Sequence, residues 1–122
     1  MKPNDKPVLV YVTCPSLDVA RTIGGQAVER RLAACANILP QMQSIYVWQG
    51  ALHQDDEVVL LLKTRQACAD AVTALVEREH PYDTPAVLVL PVEGGSGPFL
   101  AWIAEETSTA LPERGKTGKA TP

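Results

Sequence analysis

The chain has 122 residues, 46% of them hydrophobic, which fits one globular domain and is too short for two ordinary ones. Its formal net charge is −3, and no basic stripe typical of a nucleic-acid surface is present. The apolar runs are far shorter than the roughly 20 residues that cross a bilayer, so we expect neither a nucleic-acid nor a membrane partner. Three widely spaced cysteines exclude a Cys-x-x-Cys motif and indicate a reduced, cytoplasmic protein.

The chain begins with a predicted strand and helix. Residues 8–12 are a continuous apolar run rich in β-branched side chains, which predicts a strand buried on both faces. Ser16 is well placed to cap a helix, and apolar residues recur at helical spacing over residues 17–32. Gly24 and Gly25 lie inside this helix, where glycine costs about 1 kcal/mol relative to alanine. We therefore expect close packing against a neighbouring element at this point.

A long β-hairpin is predicted next. Residues 35–39 look extended, and Pro40 indicates an edge strand or a bulge. The strand resumes over residues 44–48, and Gln49-Gly50 indicates a turn or bulge. After a polar stretch, residues 58–62 form the most apolar strand, which we expect at the centre of the sheet.

The second half of the chain predicts a helix, a strand and a short helix. The second helix has its apolar positions over residues 67–76 and ends before His80-Pro81, because the residue before proline avoids helical geometry. Residues 86–90 form a buried strand, and residues 99–106 a short helix. No apolar periodicity follows, so residues 108–122 are expected to be a disordered tail.

These elements follow the order β-α-β-β-α-β-α, which predicts a single α+β domain of ferredoxin-like arrangement over residues 1–107. The first strand then lies between the third and the fourth. Right-handed crossovers place the first two helices on one face of the sheet and leave the other face bare. The bare face is too apolar to stay in water, and we expect another copy of the chain to cover it.

The predicted topology brings several chemically useful side chains to one edge of the sheet. The first strand ends at Cys14, where the second helix ends at Glu79 and His80, and Asp83 follows. Thiolate, imidazole and carboxylate together suit copper or zinc. Two alternatives stay open, in which Cys14 is a small buried hydrophobe and His80 is a cation that satisfies helix-end carbonyls.

A cysteine and a histidine are also the pattern of a nucleophile and its base. That interpretation needs an oxyanion hole and an orienting Asn or Asp, and the sequence indicates neither. The glycines at 94, 95 and 97 lack the context of a dinucleotide or phosphate loop. We therefore predict a binding protein and not an enzyme, with no catalytic residues and no catalytic cofactor.

The hairpin carries further polar and aromatic side chains. Tyr46 and Trp48 alternate on one strand face, which indicates either a subunit interface or ordinary core packing. His53 is expected to be solvated or at an interface. Residues 55–57 are acidic and could attract cations, but an exposed turn is the favoured interpretation.

Several segments, in order and spacing, resemble those of the CutA family of divalent-cation tolerance proteins. They read RLAACANILP, SIYVWQG, EV followed by KT, HPYDTP, LPV and FLAW, at residues 31–40, 44–50, 57–64, 80–85, 90–92 and 99–102. The similarity covers about residues 8 to 106.

The resemblance implies a ferredoxin-like subunit in a tight homotrimer, with the long hairpin reaching across to neighbouring subunits. It also implies binding of copper, or of other divalent cations such as zinc, by Cys14 and His80, with Glu79 as a further ligand. Glu79 stands where some relatives carry a second histidine. The alternative is a regulatory or scaffold trimer, similar in architecture to PII-type signalling proteins, that binds a metabolite or partner protein between subunits.

Overall fold

The computed structural model describes residues 6–108, which form four strands and three helices. In chain order they are β1 Pro7–Cys14, α1 Leu17–Glu29, β2 Cys35–Trp48, β3 Ala51–Arg65, α2 Ala69–Glu79, β4 Val87–Pro91 and α3 Gly97–Glu106, with a 3₁₀ turn, Gln66–Cys68, before α2. The element order is the predicted one. The disordered tail was predicted for residues 108–122, and all of these except Ser108 lie outside the described residues. No helix within residues 6–108 is both long and apolar enough to span a bilayer.

The four strands form one antiparallel sheet in the order β2-β3-β1-β4, so β1 lies between β3 and β4 as predicted. Val10 stands opposite Leu62 on β3 and Val89 on β4, which fixes the register. Because side chains alternate between the faces of a strand, the even-numbered residues of β1 share one face. This face is the core face, and Val10 and Val12 are fully buried there against α1 and α2.

Helix α1 begins as predicted and ends three residues earlier than predicted. The Ser16 side chain accepts a hydrogen bond from the Val19 amide and caps the first turn. The helix ends at Glu29 because Arg31 adopts a left-handed backbone with φ of 60°. The Arg31 amide bonds back to Val28 and the Leu32 amide to Ala27, which is a Schellman closure with arginine where glycine is usual.

The hairpin of β2 and β3 is longer than predicted. Gln49 and Gly50 have φ of 51° and 80°, the geometry of a two-residue type I′ turn, and the register shifts between Leu39 and Met42, which confirms a bulge near Pro40. Strand β3 begins at Ala51, so the interpretation of residues 55–57 as a turn is wrong. These acidic residues lie in the strand, and some pair across it: Gln43 Nε2 donates to Asp56 Oδ1 at 2.9 Å.

The second face of the sheet is partly covered by α3, and so the prediction of a wholly bare face is wrong in part. Lys63 lies on this face, and its Nζ sits 5.2 Å from the centroid of the Phe99 ring on α3. The Arg65 guanidinium donates to the Thr107 carbonyl at 2.8 Å and holds the end of that helix. Farther along the same face, apolar side chains including Leu88 remain exposed.

Candidate functional site

A cleft of about 650 Å³ lies where the hairpin extends past the end of β1. One wall is the face of the hairpin that carries Ser44, Tyr46 and Trp48, and the other wall is the loop after α2. The side chains that line this space include Ser44, Tyr46, Trp48, Glu57, Tyr82 and Asp83. We call this space the cleft.

His80 closes α2 and connects the loop to β1. Its extended backbone ends the helix ahead of proline, and its side chain is only 6% exposed. Nδ1 accepts the Tyr82 amide at 3.2 Å, so the ring proton is on Nε2, which lies 2.7 Å from the Thr13 carbonyl oxygen and donates to it. Both ring nitrogens are therefore occupied, and His80 holds the loop against β1. Its side chain bonds a strand carbonyl and not the helix-end carbonyls considered from the sequence.

Cys14 lies beside this connection, in the core. Its side chain is fully buried, and burial together with the nearby Glu57 carboxylate raises the pKa of the thiol from 9.0 to about 11. At neutral pH the group is a protonated thiol, whereas a metal ligand or a nucleophile must be a thiolate. The interpretation of Cys14 as a buried apolar side chain agrees with this environment.

Glu79 faces α1. Its Oε1 accepts from Gln26 Nε2 at 3.1 Å, and its Oε2 lies 3.5 Å from Arg78 Nε. Within residues 6–108 no group of three or more His, Cys, Asp or Glu side chains is placed to hold a metal ion. The structure thus brings Cys14 and His80 to the same edge, as the topology predicts, and directs Glu79 elsewhere. As folded, this donor set does not fit a copper ion, and the metal ligands stay a prediction.

Glu57 is a site residue that the sequence predicted in an exposed turn. It lies in β3 next to the bulge and is 7% exposed. The Tyr82 hydroxyl donates to Glu57 Oε2 at 3.2 Å, and burial together with the Glu57 charge raises the pKa of Tyr82. The sequence did contain a signal for this position: Glu57 directly precedes the apolar run of β3, so the strand can extend through it.

The aromatic wall of the cleft belongs to the hairpin. Tyr46 and Trp48 share one side of β2 and are 41% and 58% exposed, so they are not packed in the core of the subunit. The Tyr46 hydroxyl donates to the Asp55 carboxylate, and this hydrogen bond is the main cause that raises the Tyr46 pKa to about 12. The His53 ring stacks on Tyr46 with centroids 5.4 Å apart. These contacts hold Tyr46, His53 and Asp55 together at one rim of the cleft.

Comparison with known proteins places the whole described domain in one family. A protein-family model described as CutA1 divalent ion tolerance protein matches residues 8–106. The chain is 43% identical over 99 residues to the divalent-cation tolerance protein CutA of Thermus thermophilus, covering 81% of this chain and 96% of that one. It is 47% identical over 95 residues to a CutA homolog of Xenopus laevis, covering 78% of this chain and 63% of that protein. The chain thus spans about three-fifths of the animal relative.

Solved structures agree with this placement. CutA1 from Oryza sativa superposes with a TM-score of 0.84 at 36% identity, covering 89% of this chain and all of that one. The divalent cation tolerance protein from Thermus thermophilus gives a TM-score of 0.81 at 42% identity, with coverage of 84% and 99%. Similar sequences and similar folds over the same residues lead to one conclusion: the chain belongs to the CutA1 divalent ion tolerance family.

Proposed function

We propose that this protein is a cytoplasmic homotrimer that takes part in the response to divalent cations. We further propose that it acts by binding a small ligand in the cleft. The observation that carries the proposal is the cleft itself, about 650 Å³ in volume, with a buried carboxylate and aromatic walls. Sites for small molecules are concave and largely apolar, with a few placed polar groups. The regulatory alternative left open by the sequence placed a metabolite or partner protein between subunits; the present proposal keeps the small ligand and places it in a cleft lined by one subunit. The protein is proposed to have no catalytic activity.

Self-association is supported by the apolar surface of the hairpin. Val47 and Leu52 stand opposite each other near its tip and are 67% and 73% exposed. Ile45 is exposed on the same face of the hairpin, opposite to the face that carries Trp48. A projecting hairpin with an exposed apolar face is unusual for a monomer, because exposed apolar patches of this kind mark interaction sites. The number of three subunits follows from the family resemblance.

The assembly is tested by the mass in solution. We expect analytical ultracentrifugation to give three times the subunit mass for the wild type and a smaller species for Leu52→Lys, which places a charge in the proposed interface. Val28→Lys is the matched control, since Val28 is an exposed apolar residue that belongs to α1 and not to the hairpin. A wild-type monomer at micromolar concentration would contradict the trimer.

Copper binding is the second candidate, and it rests on the position of His80 and Cys14 at one edge of the sheet. The His80 ring bonds the carbonyl of Thr13, directly before Cys14, so an imidazole and a thiol lie at one sheet edge. Copper or another divalent cation such as zinc would need the His80 bonds to open and the thiol to ionise. Glu79 would in addition need to leave Gln26.

Calorimetric titration of the reduced protein with Cu(I), Cu(II) and Zn(II) separates the two candidates. Copper binding by these residues predicts one saturable ion per subunit that disappears in Cys14→Ser and in His80→Ala and persists in Cys35→Ser. The same binding in wild type and variants, or none at all, would contradict the copper site and leave the cleft as the functional feature.

A further inference from the structure

We infer that the cleft selects a small organic cation, an alkylated ammonium group, bound between the aromatic rings and the Glu57 carboxylate. The inference rests on the proposed ligand-binding function of the cleft and names the class of its ligand. Two independent features of the cleft support it, namely the sign of its charge and the character of its walls.

The charge of the cleft, counted over the described residues, is negative. Among the residues of the described chain that line it, Glu57 and Asp83 are acidic and none is Lys, Arg or His. Glu57 is 93% buried, and none of the ion pairs found within residues 6–108 involves it. A buried carboxylate without a cation is costly. Its negative charge also contributes to the raised pKa values of Cys14 and Tyr82. A cationic ligand offsets this cost, whereas an anion adds to it.

The walls of the cleft favour an organic cation over a metal ion. Hard divalent cations take about six to eight oxygen ligands, and the described residues provide no cluster of three acidic, histidine or cysteine side chains. The cleft instead presents Tyr46, Trp48 and Tyr82. Aromatic faces attract cations, and a ring of them is the usual binding site for alkylated ammonium groups. A primary ammonium is more strongly hydrated and less suited to such walls.

The protonation of the tyrosines is consistent with this role. The pKa of Tyr46 is raised to about 12 and that of Tyr82 is also raised, so both stay neutral phenols well above physiological pH. Tyr82 keeps its hydroxyl on Glu57 Oε2, which orients the carboxylate within the cleft. The rings therefore stay uncharged over the whole neutral range.

A series of three probes of equal shape and different charge tests the inference. Choline carries a quaternary ammonium, 3,3-dimethylbutan-1-ol replaces its nitrogen by carbon, and 3,3-dimethylbutanoate is the anion of similar size. Titration of the full chain is followed by the indole N–H resonances in nitrogen-edited NMR. Trp48 lines the cleft and Trp102 lies on α3, so the second tryptophan is an internal reference. We expect choline alone to shift Trp48 strongly, with at least about tenfold tighter binding than the neutral probe.

Variants at Glu57 and at the neighbouring Asp56 test which carboxylate attracts the cation. Glu57→Gln keeps the shape and should weaken choline binding at least about tenfold, whereas Asp56→Asn removes the same charge from a neighbouring residue that does not line the cleft and should leave binding unchanged. If Glu57→Gln fails to fold, the comparison of the three probes on the wild type still decides the question.

The outcomes distinguish failure of the cationic ligand from failure of the cleft as a binding site. Equal or tighter binding of the neutral or the anionic probe at Trp48 overturns the cationic ligand and keeps the cleft as a binding site. Equal loss of choline binding in Glu57→Gln and Asp56→Asn overturns the role of Glu57. No shift of Trp48 with any probe overturns both the cationic ligand and the ligand-binding function of the cleft.

Discussion

The two adjacent glycines of α1 should respond to alanine with opposite signs. Gly24 faces the sheet, and a Cβ built there would lie 3.1 Å from the Ala36 Cβ and 3.3 Å from Leu60 Cδ1. Gly25 is on the exposed side of the helix, and a Cβ there meets nothing within 4 Å. The predicted close packing is thus confirmed at Gly24 only, and Gly25 provides a matched control one residue away.

The magnitudes follow from helix propensity and packing. Alanine in place of glycine inside a helix stabilises by about 1 kcal/mol, and Gly25→Ala should gain that amount. Gly24→Ala gains the same propensity, but the new methyl group is overpacked, which costs about 1–3 kcal/mol. The Ala36 Cβ is fixed to the backbone of β2 and cannot rotate away, whereas Leu60 can adjust its side chain. We therefore expect Gly24→Ala to be less stable than Gly25→Ala by about 2 kcal/mol.

Equilibrium unfolding in guanidinium chloride, followed by far-ultraviolet circular dichroism, measures this difference. All proteins must be compared at one concentration, because association of subunits makes the transition depend on it. The expected order of stability is Gly25→Ala, then wild type, then Gly24→Ala. If Gly24→Ala were as stable as Gly25→Ala, the contact of α1 with β2 would be looser than the distances imply, and the reasoning would be refuted.

Three further predictions concern buried polar groups. With its pKa raised to about 11, the Cys14 thiol should react with a disulfide reagent at least about 100-fold more slowly near pH 8 than a thiol of ordinary pKa, and mass spectrometry should find Cys35 labelled first. The raised pKa of Cys14 also contributes about 2–3 kcal/mol to the free energy of unfolding below pH 9, and this contribution should be lost as the pH rises from 9 to 11. Cys14→Ala should not show this loss. Parallel pH profiles of the two proteins in denaturant melts would contradict the prediction. Thr64→Val should cost about 1–2 kcal/mol in the same melts, because the buried Thr64 hydroxyl donates to the Leu32 carbonyl at 2.6 Å, whereas Thr64→Ser should cost less.

Much of the fold could be predicted because local signals agree with the global arrangement. Ser16, the helical spacing of α1 and the Gln49-Gly50 turn each act within a few residues and are confirmed. The end of α1 could not be predicted, since Arg31 adopts a left-handed backbone that sequence reasoning reserves for glycine or asparagine. The start of β3 was missed for a related reason, because cross-strand pairs override the weak strand propensity of the acidic residues 55–57.

The site was only half predictable, since its parts come from three distant segments. Topology alone places Cys14 and His80 at one edge of the sheet. It does not decide where Glu79 points, because consecutive residues at a helix end project in different directions, and Glu79 projects toward α1. The meeting of Glu57 with Tyr82 depends on the path of the loop after α2, for which the sequence provides no pairing rule.

His80 links the two candidate functions, and this decides which variant is informative. Its Nδ1 holds the Tyr82 amide and its Nε2 holds the Thr13 carbonyl, so it positions the ring that bonds Glu57 in the cleft. His80→Ala therefore disturbs a metal site and the cleft together, so loss of copper binding in that variant supports the copper site only where Cys14→Ser shows the same loss. Cys14→Ser leaves both His80 bonds in place and removes only the thiol. Copper binding that survives in Cys14→Ser, with choline binding intact, would show that the thiol is a core residue and that the cleft carries the function.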